Sequence, residues 1–278
     1  LDITYYNAKT MNQTFNPQLP VSGWSAMYIQ TGAVRNQGIE LSLGYKNTWN
    51  KFSWDTGFTF SMNRNKILTL ASDAINPITG ENFSIGTLNM GGLGEARFLL
   101  KEGGSMGDLY SFIDLKRDTN NKIYIDQAGK MTTETIKDPK KYIKLGSVLP
   151  KGNLAWRNNF SWNNFNAGFL VSARLGGVVF SRTQAMLDYY GVSEATAEAR
   201  DHGYVLVNGN DCVNPETWYG IIGGGTSVPQ YYTYSATNVR LQEVSLGYTF
   251  PRKMLHNICD IKISMIGRNL WMIYNKAP

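Results

Sequence analysis

Residues 38–63, GIELSLGYKNTWNKFSWDTGFTFSMN, carry the alternation that decides the fold. From Ile39 the odd positions Ile39, Leu41, Leu43 and Tyr45 are apolar or aromatic, while Glu40, Ser42, Gly44 and Lys46 stand between them. Beyond Asn50 and Lys51 the pattern resumes as Phe52, Trp54, Thr56, Phe58, Phe60 and Met62 against Ser53, Asp55, Gly57, Thr59, Ser61 and Asn63. Side chains of a strand point alternately to its two faces, so each segment has one apolar and one polar face. A helix, with its period of about 3.6, would scatter the same residues around its circumference. The stretch is therefore an antiparallel β-hairpin. Its arms alternate over roughly ten residues or more, against about 5–6 for the common soluble strand and about 9–11 for a tilted strand that crosses a bilayer. Trp49, Phe52 and Trp54 crowd the turn, as in the aromatic girdle of a membrane–water interface. A long hairpin of a soluble β-sandwich with one wet face has the same local pattern, so the hairpin alone leaves both settings open.

Outward from it, the pattern recurs. Leu1–Lys9 is a predicted strand, followed by a loop to about Asn36 broken by Pro17, Pro20, Gly23 and Gly32. Asn153–Trp162 alternates through Leu154, Trp156, Phe160 and Trp162, with Asn158 as a lapse on the apolar face. A tight turn at Asn163–Asn164 leads to Phe165–Gly176; Asn238–Phe250 and Asp260–Leu270 complete seven predicted strands. Short links at 49–51, 163–164 and 251–258 alternate with long ones at 10–36, 65–151 and 177–237, and the aromatics favour the short-link end. Short turns on one rim and long loops on the other are the pattern of an outer-membrane barrel, and a sandwich has no reason to segregate loop length and aromatics together. The expected fold class is all-β, an antiparallel transmembrane β-barrel with long extracellular loops. Within those loops, 118–130 reads as a small hairpin and Arg182–Tyr190 and Ser193–His202 as two short helices. Gly191 can end the first helix and Ser193 can cap the second. Single-chain bacterial barrels have even strand numbers, and an open edge in lipid leaves backbone groups unpaired, so residues 1–278 are expected to form one part of a larger barrel.

Composition agrees. Of 278 residues 42% are hydrophobic, the mean hydropathy is −0.28, and no apolar run reaches the roughly 18 residues of a membrane-spanning helix. A barrel hides its apolar face in alternate positions and looks polar on average. The net charge of +6 is spread along the chain, with Lys140–Lys141 and Arg252–Lys253 among its few adjacent pairs, which argues for a solvated surface and no nucleic-acid partner. Cys212, Cys259, His202 and His256 show no ligand spacing, and neither a catalytic, a cofactor nor a metal site is expected. Asp118, Asn120 and Lys122 are spaced like calcium-loop ligands, but Lys122 is wrong for a ligand and the turn glycine is missing, so an ordinary turn is expected.

The sequence closely resembles the SusC/RagA family of TonB-dependent outer-membrane transporters at 238–251, NVRLQEVSLGYTFP. TGAVRNQGIELSLGYKN at 31–47 resembles the strand that follows a long loop in that family. Residues 181–209 resemble a helical insertion of some members, and IGRNLWMIYNKAP at 266–278 the segment before the final strands. The resemblance implies a barrel of about 22 strands, an N-terminal plug, a SusD-like surface lipoprotein and energy from TonB, with plug and final strands outside the present residues. It implies active import of oligosaccharide or oligopeptide with no enzymatic step. A passive porin-like or structural barrel and a soluble β-sandwich binding module are the alternatives.

Transport needs a polar wall and a selective mouth. Glu40, Lys46, Asp55, Arg157, Arg174, Glu243 and Lys262 fall on the polar face of their strands and are expected to face the lumen, because at the lipid midplane a charge costs about 2–4 kcal/mol. Each either meets substrate or plug, or forms an ion pair in a water-filled lumen. In the long loops Tyr189, Tyr190, Trp218, Tyr219, Tyr231, Tyr232 and Tyr234 are candidates for stacking on substrate or packing on a lid. Packing, of the loop on itself or against a lid protein, is the favoured role for each.

Overall fold

A computed structural model describes residues 1–15, 28–75, 80–225, 227–256 and 258–278. The predicted loop breakers Pro17, Pro20 and Gly23 lie outside the described residues. Seven strands form one sheet: β1 (Asp2–Phe15), β2 (Ile29–Trp49), β3 (Phe52–Thr69), β4 (Gly152–Trp162), β5 (Phe165–Leu175), β6 (Asn238–Phe250) and β7 (Ile261–Asn275). Each is antiparallel to the next in chain order, a plain meander.

The register explains why the alternation matters. Leu41 stands opposite Phe60, Phe60 opposite Leu154, and Leu154 opposite Ala173. Nearer the short turns Phe52 faces Trp162, Trp162 faces Phe165, Phe165 faces Tyr248 and Tyr248 faces Ile263. Residues directly opposite in a ladder share a face, so one continuous apolar face runs across all seven strands. Asn158, the lapse in that face, is buried at 1% exposure, and its Oδ1 accepts a hydrogen bond from Trp54 Nε1 at 3.0 Å. The Trp156 indole donates likewise to Thr56 Oγ1 at 3.1 Å. A polar group on a lipid-facing surface must find its partner inside the protein.

Both two-residue turns place an asparagine in the left-handed region, Asn50 at φ 53° and Asn163 at φ 50°, a conformation asparagine tolerates better than most residues. The turns are knitted along the rim: Asn163 N donates to Lys51 O at 3.0 Å and Thr249 N to Asn164 O at 2.9 Å. The third link is a 3₁₀ turn, Arg252–Leu255, closed by an Arg252–Asp260 ion pair at 3.1 Å.

The opposite rim departs from the expected loops. Residues 10–36 are not simply a loop, because the β1–β2 ladder continues through Lys9–Arg35 and Thr10–Val34 to Gln13–Gly32. The alternation stops where the apolar face is no longer needed, yet the backbone hydrogen bonds continue. β3 also runs on, and Ile67 with Leu70 packs into a core with Phe15, Val34, Leu88 and Leu100. Residues 65–151 add a four-stranded sheet of 87–93, 96–101, 108–111 and 143–147. The small hairpin expected at 118–130 is two successive tight turns. Asp118 Oδ1 accepts from Asn120 N and Lys122 N, and Asp126 Oδ1 from Ala128 N and Lys130 N.

Residues 177–237 form the expected helices α1 (Arg182–Tyr189) and α2 (Glu194–His202), capped by the Ser181 and Ser193 hydroxyls. A third, α3 (Pro215–Gly223), is capped by Asn214. Its signature of Asn214, Pro215 and Glu216 follows helix-start chemistry and was open to reading in the sequence. The two long excursions share one core. Leu115 and Met131 from the first join Ala185, Val207, Val213, Trp218, Ile222, Val228 and Tyr232 from the second. Asn208 clasps the backbone of Ile123, accepting from its N–H and donating to its carbonyl, both at 2.9 Å. Gln230 Nε2 donates to Ile113 O at 2.8 Å. The excursions thus make a single cap over the seven-stranded wall.

Candidate functional site

Two surfaces concentrate polar chemistry, the polar face of the wall and the outer side of the cap. On the wall, the register brings Glu40, Lys46, Asp55, Arg157, Arg174, Glu243 and Lys262 to one face, opposite the aromatics. Lys46 stands across from Asp55, and Asp55 Oδ1 pairs with Arg157 Nη2 at 3.1 Å. The Arg157 guanidinium lies beside Gly57, the residue directly across from it in the ladder. Glu243 pairs with Arg268 at 3.0 Å. Arg174 donates to the carbonyl of Val148 and lines a cavity of about 480 Å³ between the top of the wall and the cap. Glu40, Lys46 and Lys262 are exposed and form no ion pair among the described residues.

Two further arginines, Arg268 and Arg240, belong to this face. Arg268 keeps the parity of Lys262, so extending the alternation along β7 finds it. Arg240 does not follow from parity. A register irregularity at Gln242, where Leu241 and Glu243 pair with Trp271 and Arg268, shifts the alternation of β6 by one. Val239 and Leu241 therefore join Val244 and Leu246 on the apolar face, and Arg240 turns to the polar one, as a bulge reverses the side-chain parity beyond it.

In the cap, the seven aromatic candidates separate. Trp218 and Tyr232 are core residues, and Tyr231 packs edge-on against Trp218 with centroids 5.3 Å apart. Tyr234 packs on the same core. Burial, and then the neighbouring Asp188 carboxylate, pushes the Tyr232 phenol well above its usual pKa; the same two causes raise Tyr219 and Tyr234. Tyr189 and Tyr190 are exposed, with rings edge-to-face at 5.0 Å. Together with Tyr219 they line a cavity of about 280 Å³ that also contains Asp188, Arg200 and Glu216. Arg200 is oriented by donating to Gly191 O at 2.7 Å, and buried Asp188 accepts from Gln184 Nε2 at 2.8 Å. Both signs of charge and three phenols thus meet between α1, α2 and α3. The charged members went unnoticed in the sequence because no spacing motif joins three separate helices.

No family model matches the chain. Among curated proteins it is 24% identical over 291 residues to TonB-dependent receptor P3 of Formosa agariphila, covering 97% of this chain and 27% of that receptor. It is also 24% identical over 259 residues to TonB-dependent receptor SusC of Bacteroides thetaiotaomicron, covering 88% of this chain and 24% of SusC. Among solved structures the RagAB peptide importer, in its closed-closed state, shares the fold over 98% of this chain and 30% of that one, with TM-score 0.64 and 16% identity. A second structure of the RagAB peptide transporter gives TM-score 0.66. The chain spans between about a quarter and a third of the length of these proteins. With the seven-stranded amphipathic wall, these likenesses make the chain a stretch of outer-membrane β-barrel that is similar over most of its length to TonB-dependent receptors, SusC among them, and that shares its fold with RagAB.

Proposed function

We propose that the chain forms wall and mouth of a transporter that imports oligosaccharide or oligopeptide nutrients across the outer membrane. The carrying observation is the division of the wall, with an apolar face running across all seven strands and the other face gathering charged side chains, the seven expected ones with Asp2, Arg240 and Arg268. The apolar face meets lipid; the charged face lines an aqueous lumen, since the same charges toward lipid would cost about 2–4 kcal/mol each near the midplane. The short-turn rim faces the periplasm and the cap faces outward, where Tyr189, Tyr190 and Tyr219 with Arg200 and Glu216 make first contact with substrate. Phenol faces stack on sugar rings or peptide side chains, and the two charges hold hydroxyls or peptide termini. No bond is made or broken; import is driven by TonB acting on a plug, with a SusD-like lipoprotein closing over the mouth.

The reading is tested in cells carrying the intact transporter. Uptake of labelled oligosaccharides and oligopeptides is compared between wild type, a TonB deletion, and Tyr190→Ala and Glu216→Gln transporters. Energised import predicts that uptake of one class disappears without TonB and that both substitutions raise the half-saturating concentration several-fold. Uptake that persists without TonB identifies a passive barrel instead. Absence of uptake of either class by wild type contradicts nutrient import.

A further inference from the structure

The apolar face is not flat at the short-turn rim. Ala167 of β5 is the small residue in a row of large ones. Leu246 and Tyr248 of β6 and Ile263 and Met265 of β7 stand around it to frame a recess of about 890 Å³. Met254, on the link between β6 and β7, closes the end nearest the rim. Leu246, Met254, Ile263 and Met265 are all more than half exposed, so the recess is open to whatever covers this face and is no part of a core. Its volume lies in the range of roughly 300–1,000 Å³ that holds ligand-sized molecules.

Charge is unevenly placed at its mouth. The link carries Arg252, Lys253 and His256, with Asp260 as the acid beside them. Asp260 is engaged with Arg252, through the 3.1 Å ion pair and by accepting from Arg252 N at 3.0 Å. Lys253, next to the recess residue Met254, is exposed and forms no ion pair among the described residues. An apolar recess bordered by a link whose exposed lysine adjoins a recess residue matches a molecule that is hydrocarbon at one end and anionic at the other.

We propose that this recess is a binding site for one anionic phospholipid of the leaflet at the short-turn rim, with an acyl chain along Ala167 and Leu246 and the phosphate on Lys253. Filling the recess with a chain restores the close contacts that a flat wall would have made with bulk lipid. The cation adds selection by headgroup charge, as basic residues at membrane surfaces do toward anionic lipid. The proposal requires the apolar face to meet lipid but not that the protein imports anything, so uptake and lipid binding can fail separately.

The test is native mass spectrometry of the intact protein in detergent, with phosphatidylglycerol and phosphatidylcholine added in turn. Wild type should retain one phosphatidylglycerol several-fold more often than phosphatidylcholine. Lys253→Glu should abolish the preference while leaving weak retention of both lipids, and Met254→Asp, on an exposed link where folding tolerates it, should reduce retention of both. Lys130→Glu, in the cap, should change neither. Equal retention of the two lipids by wild type, or phosphatidylglycerol adducts unaltered by Lys253→Glu and Met254→Asp, would overturn the site.

Discussion

In the wall, Trp162, Phe165 and Met265 are 59%, 58% and 73% exposed, whereas in the cap Leu115, Val213 and Tyr232 are 1%, 2% and 1% exposed. Both regions come from one chain, and both are rich in aromatic and branched residues. The difference lies in the solvent each was built for. The wall turns its large side chains outward because hydrocarbon covers them, and it is held by a continuous backbone ladder that satisfies every interior strand. The cap stands in water and must bury its apolar residues against one another, so it needs helices, caps and a core like any soluble domain. The two long excursions supply it jointly, Leu115 and Met131 from the first packing with Ala185, Trp218, Ile222 and Tyr232 from the second.

Substitutions should separate the two regions. The largest loss is expected for Tyr232→Ala, which empties the centre of the cap and should cost it about 3–5 kcal/mol. Limited proteolysis of intact cells should then cut within 177–237 while the barrel still migrates as a folded species. Cleavage unchanged from wild type would show that the cap is not an independent core. Next, Phe58→Arg or Phe169→Arg should cost the wall about 2–4 kcal/mol in urea titrations of the lipid-reconstituted protein, while Thr59→Arg on the opposite face costs little. Equal losses would reverse the assignment of faces.

Asn208→Ala removes the clasp between the two excursions and leaves both backbone groups of Ile123 unpaired, for about 1–3 kcal/mol. Its residue also sits at φ 53°, so Asn208→Gly should recover part of the loss by relieving the backbone without restoring the bonds. Hydrogen exchange at Ile123 reports the first effect directly. Alkali distinguishes the regions without mutation. The Tyr232 phenol is held neutral in the folded cap, whereas the unfolded phenol ionises near pH 10. Cap stability from this residue is therefore complete below about pH 10 and is lost as pH rises further, and Tyr232→Phe should flatten that alkaline limb. Smallest is the Asp55–Arg157 pair, whose side chains are 36% and 56% exposed; a double-mutant cycle should give under about 1 kcal/mol. A larger coupling would place the pair in a drier lumen than the wall alone provides.

Much of the wall was legible. Seven strands, both two-residue turns and the shared face of Glu40, Lys46, Asp55, Arg157, Arg174, Glu243 and Lys262 followed from alternation. The tops of β1 and β2 were not, because residues such as Asn12, Gln13 and Thr14 lie above the apolar band and carry no pattern, although the ladder resumes at Gln13–Gly32 and Phe15–Ile29 across register breaks at Asn12 and Thr14. In the cap, the helix caps Ser193 and Gly191 were readable as local chemistry, and Asn214 with Pro215 offered the same signal for α3. Whether Tyr189 or Tyr232 faced outward was not readable, because both sit in tyrosine-rich stretches of similar composition.

By itself, then, the sequence determined a two-faced sheet with short asparagine turns at one rim, since side-chain parity and turn conformation are settled by neighbours a few residues apart. Tertiary structure alone decided three other features. One is the joint core of the cap, where Gln230 reaches Ile113 across 117 positions. Another is the polar cavity among three helices. The last is the bulge at Gln242 that turns Arg240 away from the apolar face. Each depends on which distant segments come to lie side by side, and no local periodicity records that.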